Sequence, residues 1–124
     1  MSITKEIERL AKATDNNVYL LVGLFGNNVN VYAEMVMHRA ATWCKYMGLD
    51  YNQVMKQNRN RSYVQLRGTM MYALRYDCKM TSTEIGRRMN RNHATVLYHC
   101  KEIEYQLAHY EDVQMLYRHL KHGL

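Results

Sequence analysis

The sequence predicts an all-α fold. Apolar residues recur at spacings of three and four along most of the chain, and proline, which interrupts helices, is absent from its 124 residues. Ten methionines and eleven tyrosines suit helices whose side-chain packing is adaptable. Hydrophobic residues make up 48% of the chain and charged residues 23%, which is enough apolar surface for the core of one domain. We therefore expect a single helical domain over residues 1–124.

Residues 1–50 are predicted to be an N-terminal helical extension of unknown role. A first helix is indicated by apolar residues at helical spacing, and a polar loop follows it at residues 14–17. The apolar residues are Ile3, Ile7, Leu10 and Ala11. Residues 18–30 fit either a helix that ends in a turn or a short extended segment, because this apolar run contains two glycines.

The next helix has the clearest pattern of this part. It begins at Asn30 and ends at Gly48, a residue type that often follows the last helical residue. Its apolar face consists of Tyr32, Ala33, Val36, Ala40, Trp43, Cys44 and Met47. Asp50 is then expected to cap a short helix that extends through Val54.

A basic loop and further amphipathic helices complete the predicted bundle. Residues 56–61 are polar and basic, and Ser62 is expected to cap the helix that follows them. The apolar face of that helix consists of Tyr63, Leu66, Met70 and Leu74. From Asp112 onward, Val113, Leu116 and Leu120 recur at helical spacing and predict a last helix.

Between these helices the sequence predicts a helix-turn-helix. Residues 81–84 read Thr-Ser-Thr-Glu and fit a capping box, in which a hydroxyl and a carboxylate satisfy free backbone N–H groups. A short helix follows, with Ile85 and Met89 facing the core and Gly86 leaving room for another helix to cross closely. Residues 90–92 form a three-residue turn before a long helix. The core face of the long helix consists of Val96, Cys100, Ile103 and Leu107.

Positive charge is concentrated around this predicted helix-turn-helix. The whole sequence has a formal net charge of +6. Residues 56–101 contain ten Lys and Arg against two acidic residues, a net charge of +8, and the remainder has a net charge of −2. A clustered charge creates a directed field, whereas a dispersed charge only aids solubility. The cluster indicates an anionic partner, with an ordinary solvated face as the alternative.

The start of the long helix carries residues of the kind that read DNA. Short polar side chains lie opposite the apolar stripe there: Asn92, His93, Ala94 and Thr95. Free backbone N–H groups and the helix dipole favour phosphate at the same end. Three arginines flank this end of the helix: Arg87, Arg88 and Arg91. Asn92 fits a simple N-cap equally well, so the spacing alone leaves both functions open.

A longer motif runs through both helices of this pair. It reads E-I-G at residues 84–86, Met at 89, R-N-H-A-T-V-L at residues 91–97 and K-E-I-E at residues 101–104. The combined string resembles the C-terminal DNA-binding domain, domain IV, of the bacterial chromosomal replication initiator DnaA, which has E-I-G followed by R-D-H-T-T-V-L. The resemblance is good over residues 61–107 and weaker on both sides.

The resemblance implies a Trp-repressor-like helical bundle, with residues 51–124 as its DNA-binding region and double-stranded DNA as its partner. The second helix of the pair would lie in the major groove, where Asn92, His93 and Ala94 would contact base edges. Arg91 and Thr95 would contact the DNA backbone. These contacts imply a sequence-specific regulator of replication or transcription.

The remaining arginines are assigned with less help from the motif. The family has a basic loop that reaches the adjacent minor groove, and its arginine corresponds here to Arg59 or Arg61, with a slight preference for Arg61. Arg87 and Arg88 are assigned to the DNA backbone by charge and proximity alone.

The sequence departs from the family motif at positions that read DNA. Asn92 stands where the family has Asp, and its amide matches adenine, whereas a carboxylate accepts a hydrogen bond from cytosine. Ala94 stands where the family has Thr and keeps only a methyl contact. We therefore expect a different preferred DNA site. The turn is one residue shorter, and the ATPase module is not part of these residues, so we do not expect the chain to open an origin by itself.

The sequence allows two other functions. In the first, the N-terminal helices bind a replication partner or form a homodimer, and DNA contact is incidental. The seam would contain Met35, Met37, Trp43 and Met47, although such a stripe is also typical of a core. An enzyme is the weaker alternative, because no nucleophile and base are ordered by spacing and no histidine pair at i, i+4 indicates a metal site. We expect no catalytic residue, no metal and no cofactor.

The cysteines and the longest apolar run indicate the cellular compartment of the protein. Cys44, Cys78 and Cys100 are too widely spaced for a metal knuckle or a disulfide framework and are predicted to be core residues. The apolar run at residues 18–25 is far shorter than the ~20 residues needed to cross a bilayer. The first residues lack the apolar core of a secretory signal. We therefore expect a cytoplasmic, nucleoid-associated protein.

Overall fold

The computed structural model describes residues 30–123, together with Lys5, Glu6 and Arg9. From residue 30 to residue 123 the chain forms five α-helices and one short 3-10 helix and contains no strand, which confirms the all-α prediction. The helices are α1 (Val31–Met47), α2 (Arg61–Tyr76), α3 (Ser82–Met89), α4 (His93–His109) and α5 (Glu111–His122), and the 3-10 helix is Tyr51–Gln53. Of the predicted first helix, the structure describes only Lys5, Glu6 and Arg9, which are helical. Residues 18–29 lie outside the described residues.

The ends of α1 are those that the sequence predicts. Asn30 is its N-cap, and the Asn30 Oδ1 accepts a hydrogen bond from the Ala33 N–H at 3.0 Å. Gly48 follows its last residue with a φ of +71°, in the left-handed region that glycine enters without steric cost. The short helix predicted after Asp50 is the 3-10 helix, and the Asp50 side chain caps it through the Asn52 N–H.

The apolar face predicted for α1 is wrong at two positions. Tyr32 is 48% exposed and Met47 is 53% exposed, whereas Met35 and Met37 are buried. The difference arises because α1 contacts both α2 and α5, so it buries more than one stripe of side chains. A helix with neighbours on two sides does not follow the single-stripe pattern.

Helix α2 is the centre of the bundle and contacts the other four helices. The core positions predicted on it are fully buried at Leu66, Met70 and Leu74, and so are its neighbours Met71 and Ala73. A helix with contacts on all sides provides the frame on which the other helices are placed.

The cap predicted for α2 is wrong. Asn60, not Ser62, precedes the helix, and the Asn60 Oδ1 accepts a hydrogen bond from the Ser62 N–H at 3.0 Å. Asn60 has a ψ of 137°, which turns its side chain back to the first turn of the helix, as an N-cap requires. Arg61 is consequently the first residue of α2 and not the last residue of the loop.

Helices α2 and α4 pack closely at Gly68. A Cβ atom on Gly68 would lie 2.9 Å from the Ile103 Cγ1, which is shorter than the ~3.5 Å at which carbon atoms attract. Val96 and Cys100 on the same face of α4 are also buried. The missing side chain at Gly68 therefore sets the distance between these two helices. All three cysteines are buried free thiols, which confirms their predicted place in the core.

Helix α5 is the predicted amphipathic helix and packs against α1, α2 and α4. Its predicted core residues Val113, Leu116 and Leu120 are buried. The Tyr117 hydroxyl donates to the carboxylate of Asp77, just after α2, at 2.8 Å. None of the helices found between residues 30 and 123 has the combination of length and apolarity needed to cross a bilayer.

His119 of α5 is a buried titratable group next to α1, with 4% of its surface exposed. Its Nε2 lies 2.8 Å from the Arg39 carbonyl oxygen and donates to it. Its Nδ1 is buried without a hydrogen-bond partner among the described groups, and its ring centroid is 5.4 Å from that of Trp43. Burial lowers the pKa of His119 below its ordinary value, despite the hydrogen bond to Arg39. Burial therefore favours the neutral form of this ring in the folded protein.

We expect the free energy of unfolding to fall as the pH decreases from about 7.5 to about 5. The unfolded chain protonates His119 near its ordinary pKa of about 6.5, whereas the folded chain protonates it only at lower pH, so acid favours the unfolded state. His119→Gln keeps a donor for the Arg39 carbonyl and does not titrate. Urea denaturation over this pH range should therefore show a smaller decrease in the free energy of unfolding for this variant. His109→Gln, at an exposed position, is the matched control. Equal decreases in wild type and His119→Gln would contradict this role.

Candidate nucleic-acid interface

The first turn of α4 lies at an exposed end of the bundle. Asn92 is its N-cap, and the Asn92 Oδ1 accepts a hydrogen bond from the Thr95 N–H at 2.8 Å. Asn92, His93 and Ala94 are exposed and Thr95 is partly buried, while Val96 on the opposite side is fully buried. The four residues predicted at this position therefore share one helix end, beside backbone N–H groups that have no partner within the helix.

Helix α3 begins with the predicted capping box. The Thr81 hydroxyl accepts a hydrogen bond from the Glu84 N–H at 3.1 Å, and the Glu84 carboxylate accepts one from the Thr81 N–H at 3.0 Å. These hydrogen bonds lower the pKa of Glu84 below its ordinary value. Because both groups are local, the start of α3 is fixed by its own sequence.

The three-residue turn between α3 and α4 is also confirmed, and it depends on Gly86 and Asn90. Asn90 has a φ of +56°, in the left-handed region that Asn enters more readily than most residues. A Cβ atom on Gly86 would lie 2.4 Å from the Arg91 carbonyl oxygen. The reason predicted for Gly86, room for a crossing helix, is therefore wrong, because the group it accommodates is the backbone of the turn.

The two arginines of α3 have different surroundings. Arg87 is exposed and lines an open groove between α3 and the first turn of α4, together with Asn92 and His93. Arg88 forms an ion pair with Glu34 of α1, and Glu34 is buried. Arg87 is thus presented beside the exposed end of α4, whereas Arg88 connects the helix-turn-helix to α1. The DNA-backbone contacts of both arginines stay predictions.

The Arg91 side chain binds backbone carbonyl groups of the protein. Its Nη1 donates to the carbonyls of Asn90 at 2.9 Å and Met55 at 3.2 Å, and its Nη2 donates to that of Lys56. Met55 and Lys56 belong to the loop before α2, so Arg91 joins that loop to the turn. Its predicted contact with the DNA backbone stays a prediction.

Arg67 of α2 is a residue of this region that the sequence analysis missed. It is 4% exposed, and its guanidinium donates to four loop carbonyls at 2.7–3.3 Å. These carbonyls belong to Gln53, Val54, Lys56 and Asn58. One sequence signal was available, because Arg67 lies on a helical stripe with Met71 and Leu74, and a lone arginine among core positions needs internal acceptors.

The structure separates the two arginines predicted for the minor groove. Arg59 is exposed and lines a cleft of about 380 Å³ together with Asn92 and Thr95. Arg61 is the first residue of α2, and its Nη2 lies 3.8 Å from the Asp112 Oδ2 at the start of α5. Of the two, Arg59 therefore shares a surface with the first turn of α4, and Arg61 lies beside an acidic side chain.

His99 lines the same cleft without adding positive charge at neutral pH. Burial lowers its pKa below the ordinary value, and the nearby charges of Arg67 and Arg91 lower it further. The positive charge of the cleft therefore comes from its arginines. Over residues 30–123, no three His, Cys, Asp or Glu side chains are grouped as they would have to be to hold a metal ion.

Comparisons with known proteins identify the same helix-turn-helix. Residues 40–103 match the family model of the bacterial DnaA protein helix-turn-helix. The chain is 30% identical over 101 residues to the chromosomal replication initiator protein DnaA of Chloroflexus aggregans, which covers 79% of the chain and 20% of that protein. It is 34% identical over 65 residues to the same initiator of Bacteroides thetaiotaomicron, covering 52% of the chain and 14% of the relative. The chain thus matches only about a fifth or less of the length of these relatives.

We expect Gly86→Ala to lower the free energy of unfolding by about 1–3 kcal/mol, the usual cost of forcing a group into an occupied space. The added Cβ meets the backbone oxygen of Arg91, so the turn must move, although alanine favours the helix by itself. Chemical denaturation measures the change. Ser82→Ala at the start of the same helix is the control and should have a much smaller effect. A Gly86→Ala variant as stable as the wild type would show that the turn has room for a side chain.

Proposed function

The chain belongs to the bacterial DnaA helix-turn-helix family, and on that premise we propose that it binds double-stranded DNA in a sequence-specific manner and reads the major groove with α4. The observation that carries the proposal is the first turn of α4. It combines exposed His93 and Ala94, a capped start at Asn92 and a buried anchor at Val96. An outward-facing polar first turn on a firmly packed helix is what major-groove reading requires.

The base contacts follow from the side chains available at this turn. His93 supplies ring nitrogens, and Ala94 supplies a methyl group that matches the methyl group of thymine. The Asn92 Oδ1 is already engaged by the Thr95 N–H, so we propose that Asn92 contacts a base through its Nδ2. Asn92 would then donate to an acceptor such as N7 of a purine. This single contact distinguishes the bases less well than the bidentate contact of an amide with adenine.

The proposed backbone contacts surround these bases. Arg87 is the best placed of the predicted arginines, because it is exposed in the groove beside His93, and Thr95 lines the neighbouring cleft. Arg88 is less well placed for a phosphate contact, because it already forms an ion pair with Glu34. For the adjacent minor groove we propose Arg59, with Arg61 as the second candidate, because Arg59 lies in the cleft that borders the first turn of α4.

We propose a non-enzymatic role in the regulation of replication or transcription, close to the bacterial nucleoid in the cytoplasm. The named relatives are replication initiators, and residues 40–103 of this chain match the helix-turn-helix of that family. A homodimer or a replication partner bound through the N-terminal helices stays a prediction. Two residues of the proposed seam, Met35 and Met37, are buried within the chain, which supports a core role for them.

Selection of duplexes from a random pool with the purified protein tests the function directly. We expect a convergent motif, and equal affinity for the selected duplex and a scrambled one would contradict sequence-specific binding. His93→Ala should then lose about 1–3 kcal/mol of discrimination at one or two base pairs and leave the others unchanged. Dissociation constants for the selected duplex and its single-base variants measure this loss. His109→Ala, an exposed histidine at the other end of α4, is the matched control.

Arg87→Ala should weaken binding to every duplex by a similar factor, because a phosphate contact carries no sequence information. Each lost phosphate contact should reduce the slope of log affinity against log salt by about 0.9. Titrations at several salt concentrations measure the slope. Lys79→Ala, an exposed cation beyond the far end of α2, should leave it unchanged. A specificity change in Arg87→Ala with an unchanged slope would assign Arg87 to base reading instead.

A further inference from the structure

We propose that Arg67 and Arg91 are positioning residues that hold Arg59 in register with the first turn of α4. Discrimination between base pairs in the minor groove then depends on two side chains that do not themselves contact the bases. We call this pair of arginines, with the loop carbonyls that they bind, the arginine clasp. The inference rests on the proposed function and adds to it the device that relates the two grooves.

The first half of the clasp is the buried guanidinium of Arg67. It donates to carbonyls of residues 53, 54, 56 and 58, so it binds the loop along its length. Burial places Arg67 out of reach of a DNA phosphate in the folded protein. The carbonyl of Asn58 is bonded to the nitrogen of Arg59, so the hydrogen bond to Asn58 restrains the backbone from which Arg59 extends.

The second half of the clasp comes from the turn before α4. Arg91 donates to the carbonyls of Met55 and Lys56, and the Lys56 carbonyl also accepts from Arg67 at 2.9 Å. One loop carbonyl is therefore shared by a side chain of α2 and a side chain of the helix-turn-helix. Because the next residue after Arg91 is Asn92, the cap of α4, the loop and α4 are joined through a few bonds.

The chemistry of the clasp requires arginine. A planar guanidinium presents up to five donors in fixed directions, whereas the lysine ammonium is a single compact group. Among the described residues, neither Arg67 nor Arg91 forms an ion pair with a carboxylate, and both guanidinium groups donate to backbone carbonyls instead. The arrangement holds the loop, and both arginines line the cleft that Arg59 shares with the first turn of α4.

Loss of the clasp should leave Arg59 present but poorly placed. A loop that must be ordered at the moment of binding loses the affinity that a pre-ordered loop keeps. Reading of the major groove by His93 depends on the Asn92 cap and on the buried anchor Val96, and the Arg67 and Arg91 side chains do not donate to either residue. We therefore expect a selective loss, confined to the minor-groove position.

Inosine provides the readout. A G·C pair and an I·C pair present the same major-groove groups, and only guanine has the N2 amino group in the minor groove. In the selected duplex, the position at which Arg59→Ala removes the preference for I·C over G·C identifies the minor-groove contact. At this position we expect the wild type to prefer I·C by about fivefold or more, the lower end of base discrimination.

In Arg67→Met and Arg91→Met, this preference should fall to within twofold of unity. In Arg67→Met, whose side chain is buried, discrimination at the His93 position should stay within twofold of wild type. Arg67→Lys should not restore the preference, because charge without the planar fork cannot bind several carbonyls. The salt slope of Arg67→Met should equal that of the wild type, because no phosphate contact is lost. Arg75→Met on the same helix is the control for loss of an arginine.

Three results would overturn the inference in distinguishable ways. If Arg67→Met and Arg91→Met keep the wild-type preference for I·C, the positioning role is wrong and the proposed function stands. Full restoration by Arg67→Lys together with a reduced salt slope in Arg67→Met would show a direct electrostatic contact with DNA. If the wild type discriminates no base pair in either groove, the proposed function itself fails and the inference fails with it. Should Arg67→Met not fold, the preference of Arg91→Met for I·C decides whether the positioning role stands.

Discussion

The backbone carbonyl groups of residues 53–58 impose the constraint on which the proposed interface depends. Most of this segment lies outside any helix or strand, so its carbonyls need donors from elsewhere in the fold, and a buried carbonyl without one costs about 1–3 kcal/mol. Arg67 and Arg91 supply those donors. These two arginines therefore connect the loop to the helical core, in addition to local hydrogen bonds such as that from the Lys56 N–H to the Gln53 carbonyl, and Arg59 takes its position from the loop.

Two consecutive residues of α2 position the basic loop and helix α4. Arg67 binds the loop, and Gly68 allows α4 to approach the central helix at Ile103. The direction of α4 is then set by residues 90–92, which precede it. Gly86 allows the backbone of Arg91 in this segment to pass close to α3. Since α2 contacts all the other helices of the described bundle, the spacing between α4 and the basic loop is a property of the whole core.

Local features of this fold could be predicted from the sequence, and features that depend on distant partners could not. The capping box at Thr81 and the turn at residues 90–92 are determined within a few residues, so their patterns are informative. The sequence identifies Arg67 only as a positive charge and predicts Arg88 as a DNA-backbone contact, because the partners of these arginines lie nine to 54 residues away in the chain. For the same reason the charge of +8 over residues 56–101 overstates the surface available to phosphate. The predicted cap at Ser62 failed because Asn60, two residues earlier, is an equally good cap.

The central claim is that the chain presents α4 to a major groove and Arg59 to the adjacent minor groove of the same duplex. Dimethyl sulfate footprinting of the complex with a selected, adenine-containing duplex tests it most directly, because the reagent methylates guanine N7 in the major groove and adenine N3 in the minor groove. We expect protection of N7 atoms at the centre of the site and of N3 atoms in the neighbouring minor groove, within about one helical turn of 10 base pairs. Protection confined to one groove would contradict the account.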